Sequence, residues 1–118
     1  MAEPRGLLIA APASGSGKTF LTLALLRALR AAGVKVASAK AGPDYIDPRF
    51  HEAATGAPCP NLDPWAMAPA QLRALAAQSG GGADLMVIEG VMGLFDGAES
   101  GGGSSADLAA LLGLPVVL

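Results

Sequence analysis

The segment Ala11-Pro12-Ala13-Ser14-Gly15-Ser16-Gly17-Lys18-Thr19 constrains this chain more than any other. It follows an apolar run at 6–11 (GLLIAA) and precedes an apolar, helix-forming stretch at 20–32. A continuous run of that kind reads as a strand buried on both faces. Strand, glycine-rich loop and helix in this order build a phosphate cradle from Ser14, Gly15, Ser16 and Gly17. The glycines let backbone N–H groups converge on phosphate oxygens that side chains would obstruct. The N-terminus of the following helix adds its partial positive charge. Lys18 is expected to reach the β- and γ-phosphates and the Thr19 hydroxyl to ligate Mg2+. Pro12 stands where G-x-x-x-x-G-K-[ST] begins with glycine. It gives up a donor N–H but fixes the turn leaving the strand. The alternative, a chance GSGKT in a helix-capping loop, leaves the strand–loop–helix order unexplained.

The rest of the composition narrows the setting. A chain of 118 residues has room for one domain, and 52% hydrophobic with 15% charged residues excludes a disordered polymer. No apolar run approaches the roughly 20 residues needed to span a bilayer, and no secretory signal is legible. Ten acidic against eight basic residues leave a net charge of −2. That balance offers no footprint for nucleic acid or a membrane surface. The single cysteine cannot form an internal disulfide, as in a reducing, cytoplasmic compartment.

Along the chain, β-like runs alternate with helical ones. In the helix over 20–32, Phe20, Leu23, Ala24, Leu26 and Ala28 are expected to face inward and Arg27 and Arg30 to face solvent, with Gly33 closing it. A second strand is expected at 34–39 and a short helix at 48–55. Asp63-Pro64 reads as N-cap and first helical residue ahead of a helix over 69–78. A third strand covers 85–89, a glycine-rich loop 90–104, a serine-capped helix 105–112, and a fourth strand 115–118. The alternation predicts an α/β fold with a mostly parallel sheet.

In such sheets ligands gather at the carboxyl ends of the strands. Lys40 through Pro48 follow the second strand, and Glu89 through Gly97 follow the third. Mg2+ takes oxygen ligands, usually one or two carboxylates beside substrate phosphates. Asp44 and Glu89 are therefore the candidate metal ligands with Thr19, and Lys40 stands near the transferred phosphoryl group or an anionic substrate. Turn chemistry alone accounts equally for Asp47, and is the competing reading for Asp44 and Asp96. Glu89 is different, because an unpaired charge at the end of an apolar strand is costly. His51, with no Cys/His cluster, reads as a packed or surface residue, and Cys59 as a structural thiol. Trp65 reads as an anchor for a short helix, and Asn61 and Asp63 as caps.

Taken in order, APASGSGKT, KAGPDYIDPRFH, PNLDPW, EGVMGLFDG and SSADLAALLGLPVVL closely resemble the cobyrinic acid a,c-diamide synthase family, including its hydrogenobyrinic acid version. The resemblance spans residues 8–118, and its second, third and fourth motifs are far more specific than the phosphate loop. It implies a P-loop NTPase-type three-layer sandwich of the dethiobiotin synthetase-like kind. It also implies an ATP-dependent amidoligase acting on the a and c carboxylates of a corrin ring through an acyl phosphate. By motif position Tyr45, Asp47 and Asp96 would line the substrate side, joining Lys18 and Lys40 as catalytic residues. The implied partners are a corrinoid, ATP and glutamine-derived ammonia, with a homodimer left open. Two other readings share the fold. One is a dethiobiotin synthetase-like carboxyl-activating enzyme, which lacks those three motifs. The other is a partitioning-type ATPase switch, whose extra loop lysine has no counterpart at Ala13-Ser14. The family also carries a C-terminal glutamine amidotransferase domain that these 118 residues do not include. The chain is thus expected to be the N-terminal part of the ATP-binding domain, truncated on its C-terminal side, with its last strand at or near the middle of the full sheet.

Overall fold

A computed structural model describes residues 5–10, 17–42, 47–64, 66–90 and 104–117. The elements run β1 (Gly6–Ile9), α1 (Lys18–Ala31), β2 (Val36–Ala41), α2 (Asp47–Thr55), β3 (Asn61–Leu62), α3 (Pro69–Gly80), β4 (Leu85–Glu89), α4 (Ser105–Leu112) and β5 (Val116–Val117). The strands form one sheet in the order β3-β2-β4-β1-β5, and every pairing is parallel.

The two-residue period of the strands divides the core into two layers. Leu8, Ala37, Ala39, Ala41, Met86 and Ile88 pack with Leu72 and Ala76 of α3 and Leu108, Ala109 and Leu112 of α4. Ile9, Val36 and Val87 face the other way, onto Leu25, Leu26 and Leu29 of α1 and Ala54 of α2. Helices therefore cover both faces, giving a three-layer α/β sandwich. Gly6 belongs where β1 crosses β4, since a Cβ there would overlap the Met86 carbonyl oxygen.

Several boundaries differ from expectation for identifiable reasons. β2 starts at Val36, because Val34 still donates to the Leu29 carbonyl and the Lys35 N–H donates to Asp84 Oδ2 at 2.9 Å. β3 escapes the sequence, since two residues carry no periodicity. Asp63-Pro64 does not open α3. The Asp63 carbonyl accepts from Ala66 and Met67 in a separate turn. Pro69 then disfavours helical geometry at Ala68 (φ −69°, ψ 154°), and α3 restarts with Pro69 as its first residue. The Gln71 side chain accepts from the Ala68 N–H at 2.8 Å. α4 matches its expected span, with Ser104 Oγ accepting from the Asp107 N–H and Asp107 Oδ2 from the Ser104 N–H. β5 pairs with β1 at the edge of the described sheet.

The inward face of α1 is also rotated from expectation. Phe20 is 81% exposed, and Ala24 and Ala28 are exposed as well. The buried stripe is instead Thr22, Leu26 and, partly, Leu25 and Leu29. Apolar residues surround this helix on most sides, so its periodicity does not single out one face. Leu26→Ala should cost about 2–5 kcal/mol in chemical denaturation, and Phe20→Ala less than about 0.5 kcal/mol. Equal losses would contradict the observed face.

Candidate active site

β1, β2 and β4 are neighbours, and the carboxyl ends of all three point to one rim of the sheet. Lys40 of β2 stands opposite Glu89 of β4 in the parallel register. Lys40 lies two residues after Ser38 and four after Val36, and Glu89 lies two after Val87. Strand alternation thus turns Lys40 and Glu89 toward the layer of α1 and α2. Those helices contribute the other two members of the cluster.

α1 enters from the phosphate loop through Gly17, whose φ of 79° is left-handed and suits glycine. Gly17 at its N-cap has no side chain to bond the first turn, and the positive end of the helix dipole there favours an anion. Lys18 is its first residue and Thr19 its second; both are half-buried. Thr22 is fully buried, and its hydroxyl donates to the Lys18 carbonyl at 2.8 Å. α2 brings His51 inward, while its neighbour Phe50 is 55% exposed.

Three of these side chains meet on the carboxylate of the fourth, Glu89. The Lys40 ammonium donates to Glu89 Oε2 and also reaches the Gly90 carbonyl at 3.3 Å. The Thr19 hydroxyl donates to the same Oε2 at 3.0 Å. On the other side, His51 Nε2 lies 3.2 Å from Glu89 Oε1. Glu89 and His51 are wholly buried and Lys40 nearly so. Burial by itself pushes the Glu89 carboxyl up. His51, Lys40 and Thr19 outweigh that effect and hold it down at about 2. A dry, ionised carboxylate of this kind persists only with such partners.

The donor set fits magnesium in part. Two oxygens bound at about 2.1 Å at right angles to one ion stand about 3 Å apart. Thr19 Oγ1 and Glu89 Oε2 already have that separation. Among the described residues no cluster of three His, Cys, Asp or Glu side chains could cage a metal by itself. An ion here would draw further oxygens from phosphate and water, as magnesium ordinarily does.

Of the residues expected from sequence, Thr19, Lys40 and Glu89 thus come together at the end of β4 and the start of α1, where Lys18 is the first residue. Gly17 supplies the turn. Ser14, Gly15, Ser16, Asp44, Tyr45 and Asp96 lie outside the described residues, as does Trp65. Asp47 begins α2, but its side chain also lies outside the description. Asn61 is not a helix cap: it opens β3, and its amide donates to the Gly42 carbonyl just after β2 at 2.8 Å. His51 is the member that residue-by-residue reading undervalued. The available signal was its place one helical turn after Asp47, within the KAGPDYIDPRFH motif.

Cys59 stands apart from this chemistry. It is buried, and burial first, then the charges of Glu52 and Glu89, push its thiol up to about 11 against the opposing effects of Ser38 and Lys40. A thiol held protonated is a poor nucleophile. The cavity beside it, about 410 Å³, is lined by Ala37, Pro58, Pro60, Leu75, Gln78 and Ser79 among others, without a charged group. No helix among the described residues is long and apolar enough to cross a membrane.

Residues 7–116 match the family model described as the CobQ/CobB/MinD/ParA nucleotide binding domain. The chain is 64% identical over 115 residues to a hydrogenobyrinate a,c-diamide synthase of Brucella anthropi, covering 97% of this chain and 26% of that protein. It is 60% identical over 113 residues to the enzyme of the same name from Rhizobium meliloti, covering 96% and 26%. The Rhodobacter capsulatus protein of that name is 60% identical over 119 residues, covering 98% and 27%. The chain therefore spans about a quarter of the length of these curated relatives. With the matched model covering nearly all of it, and a five-stranded parallel sheet carrying the phosphate-loop helix at its centre, the chain belongs to the CobQ/CobB/MinD/ParA nucleotide-binding domain family.

Proposed function

We propose that this chain is the nucleotide-binding part of an ATP-dependent amidoligase that converts the a and c carboxylates of hydrogenobyrinic or cobyrinic acid to amides. The observation that carries the chemistry is the registered Lys40–Glu89 pair on Thr19, at the start of α1. The names of the similar proteins support the corrinoid as substrate.

A carboxylate is a poor electrophile, so amidation needs its oxygen turned into a leaving group. In the proposed sequence a substrate carboxylate oxygen attacks the γ-phosphorus, ADP leaves, and an acyl phosphate forms. Ammonia derived from glutamine then attacks the acyl carbon, phosphate departs with the former carboxylate oxygen, and a proton is lost. Phosphoryl transfer depends mainly on positioning and charge neutralisation. Lys18 and the N-terminal turn of α1 hold the phosphates, and Lys40 balances charge on the transferred group. Thr19 and Glu89, with Asp44, would hold Mg2+, which neutralises phosphate charge when bound. Tyr45, Asp47 and Asp96 are assigned to the substrate side, where they orient the carboxylate or ammonia.

The test supplies the full-length protein with ATP, Mg2+, glutamine and hydrogenobyrinic or cobyrinic acid, and follows products by mass spectrometry. Diamide should accumulate with two ATP consumed per ring, one per amide formed. ATP consumption without any corrinoid amide would overturn the substrate assignment.

A further inference from the structure

Outside the residues given roles above, one buried titratable group touches the site directly. His51 of α2 is wholly enclosed, and its Nε2 lies 3.2 Å from Glu89 Oε1, the oxygen that neither Thr19 nor Lys40 uses. We propose that His51 is a positioning residue: it holds Oε1 of Glu89, so that Oε2 stays turned toward Thr19 and Lys40. This inference rests on the proposed role of Glu89 at the nucleotide's metal.

The terminal torsion of a glutamate side chain is broad and nearly two-fold, so a carboxylate held at one oxygen can still swing. Lys40 and Thr19 both engage Oε2, from β2 and α1. His51 Nε2 stands 3.2 Å from the opposite oxygen without hydrogen-bond alignment in this structure; a donor turned onto Oε1 from α2 would fix the plane of the carboxylate. The lone pairs of an ionised carboxylate only accept, so His51 must carry its proton at Nε2 to fill this role. Nδ1 is then the nitrogen left for another partner.

The contact also joins two parts of the site. α2 begins at Asp47, directly after the loop that contains Asp44 and Tyr45 in the sequence. Anchoring to Glu89 through His51 would tie α2 to the end of β4. A change in the seating of α2 would be felt at Oε2, and the reverse. Partners that orient a metal-binding group commonly matter about 10–100-fold in metal affinity or activity.

Two measurements on the full-length protein test this. Histidine labelled with 15N should show a proton on Nε2 of His51, assigned by its loss in His51→Gln, and that signal should shift in Glu89→Gln. A proton on Nδ1 with Nε2 bare would overturn the assignment, whatever the protein turns over. The second measurement is the Mg2+ titration of binding to a non-hydrolysable ATP analogue. His51→Leu keeps bulk without a donor and should weaken the apparent Mg2+ affinity about 10–100-fold. His51→Gln, whose amide nitrogen reaches a similar point, should restore it to within about threefold. In a Glu89→Gln background, His51→Leu should have little further effect. Equal losses in the Leu and Gln variants would overturn the positioning role, as would a Leu variant with the wild-type Mg2+ dependence. Should the Leu variant not fold, the tautomer and the Gln variant still decide. Analogue binding that ignores Mg2+ in the wild-type protein would instead overturn the reading of the metal site on which the inference rests.

Discussion

Lys18→Ala should lower ATP turnover by about 10²–10³-fold or more while leaving the fold intact. Lys18 is half-buried at the first position of α1, so removing its side chain leaves no enclosed cavity. Its proposed work is done on charge that spreads over the γ-phosphoryl oxygens as the bond to ADP loosens, where one preorganised cation counts most. The loss should therefore appear in kcat more than in the thermal midpoint. A Lys18→Ala protein that hydrolyses ATP at near-normal rate would remove the residue from the phosphate site. Lys18→Arg keeps the charge but not the compact ammonium, and should recover only part of the activity.

Glu89→Gln should affect both stability and metal dependence. The substitution is nearly isosteric, but it leaves the Lys40 ammonium buried without its counter-charge. Breaking such a pair from one side costs about 3–5 kcal/mol. The pH dependence has a definite sign. The folded-state carboxyl is held at about 2, below the ordinary glutamate value of 4.5, so its charge contributes stability at pH values above 4.5. That contribution is lost as pH falls through the interval toward 2, where the protonated glutamic acid comes to resemble the amide. The stability gap between wild type and Glu89→Gln should therefore be wide at pH 6 and should narrow steadily below pH 4.5. A gap independent of pH would mean that Glu89 is not ionised in the fold. With Mg2+ varied at saturating nucleotide, the same variant should need a markedly higher concentration for half-maximal turnover. An unchanged titration would take Glu89 out of the metal shell.

Much of this site is legible in the sequence because its parts are local. The phosphate loop is one contiguous segment, and the charges at positions 40 and 89 each end an apolar run. Their pairing follows from β2 and β4 being neighbours, which parallel-sheet topology suggests but only strand order decides. The inward turn of His51 is not local. α2 is a nine-residue helix in which Arg49 and Phe50, just before His51, are exposed, and nothing in its composition says which face meets β4. The same reason explains the rotated face of α1, where Phe20 looks like core but lies 81% exposed. The two-residue β3 fails for want of length, and the separate turn at Asp63 for want of a way to see that Pro69 interrupts it. Capping and turn chemistry located α4 well, because Ser104 and Asp107 bond each other across four residues.

The most direct test of carboxylate activation at this site uses substrate labelled with 18O in the reacting carboxylates. With the full-length protein, ATP, Mg2+ and glutamine, each amide formed should release one inorganic phosphate carrying one 18O, because the acyl phosphate hands that oxygen to phosphorus. Amide formation with phosphate free of 18O would contradict phosphorylation of the carboxylate.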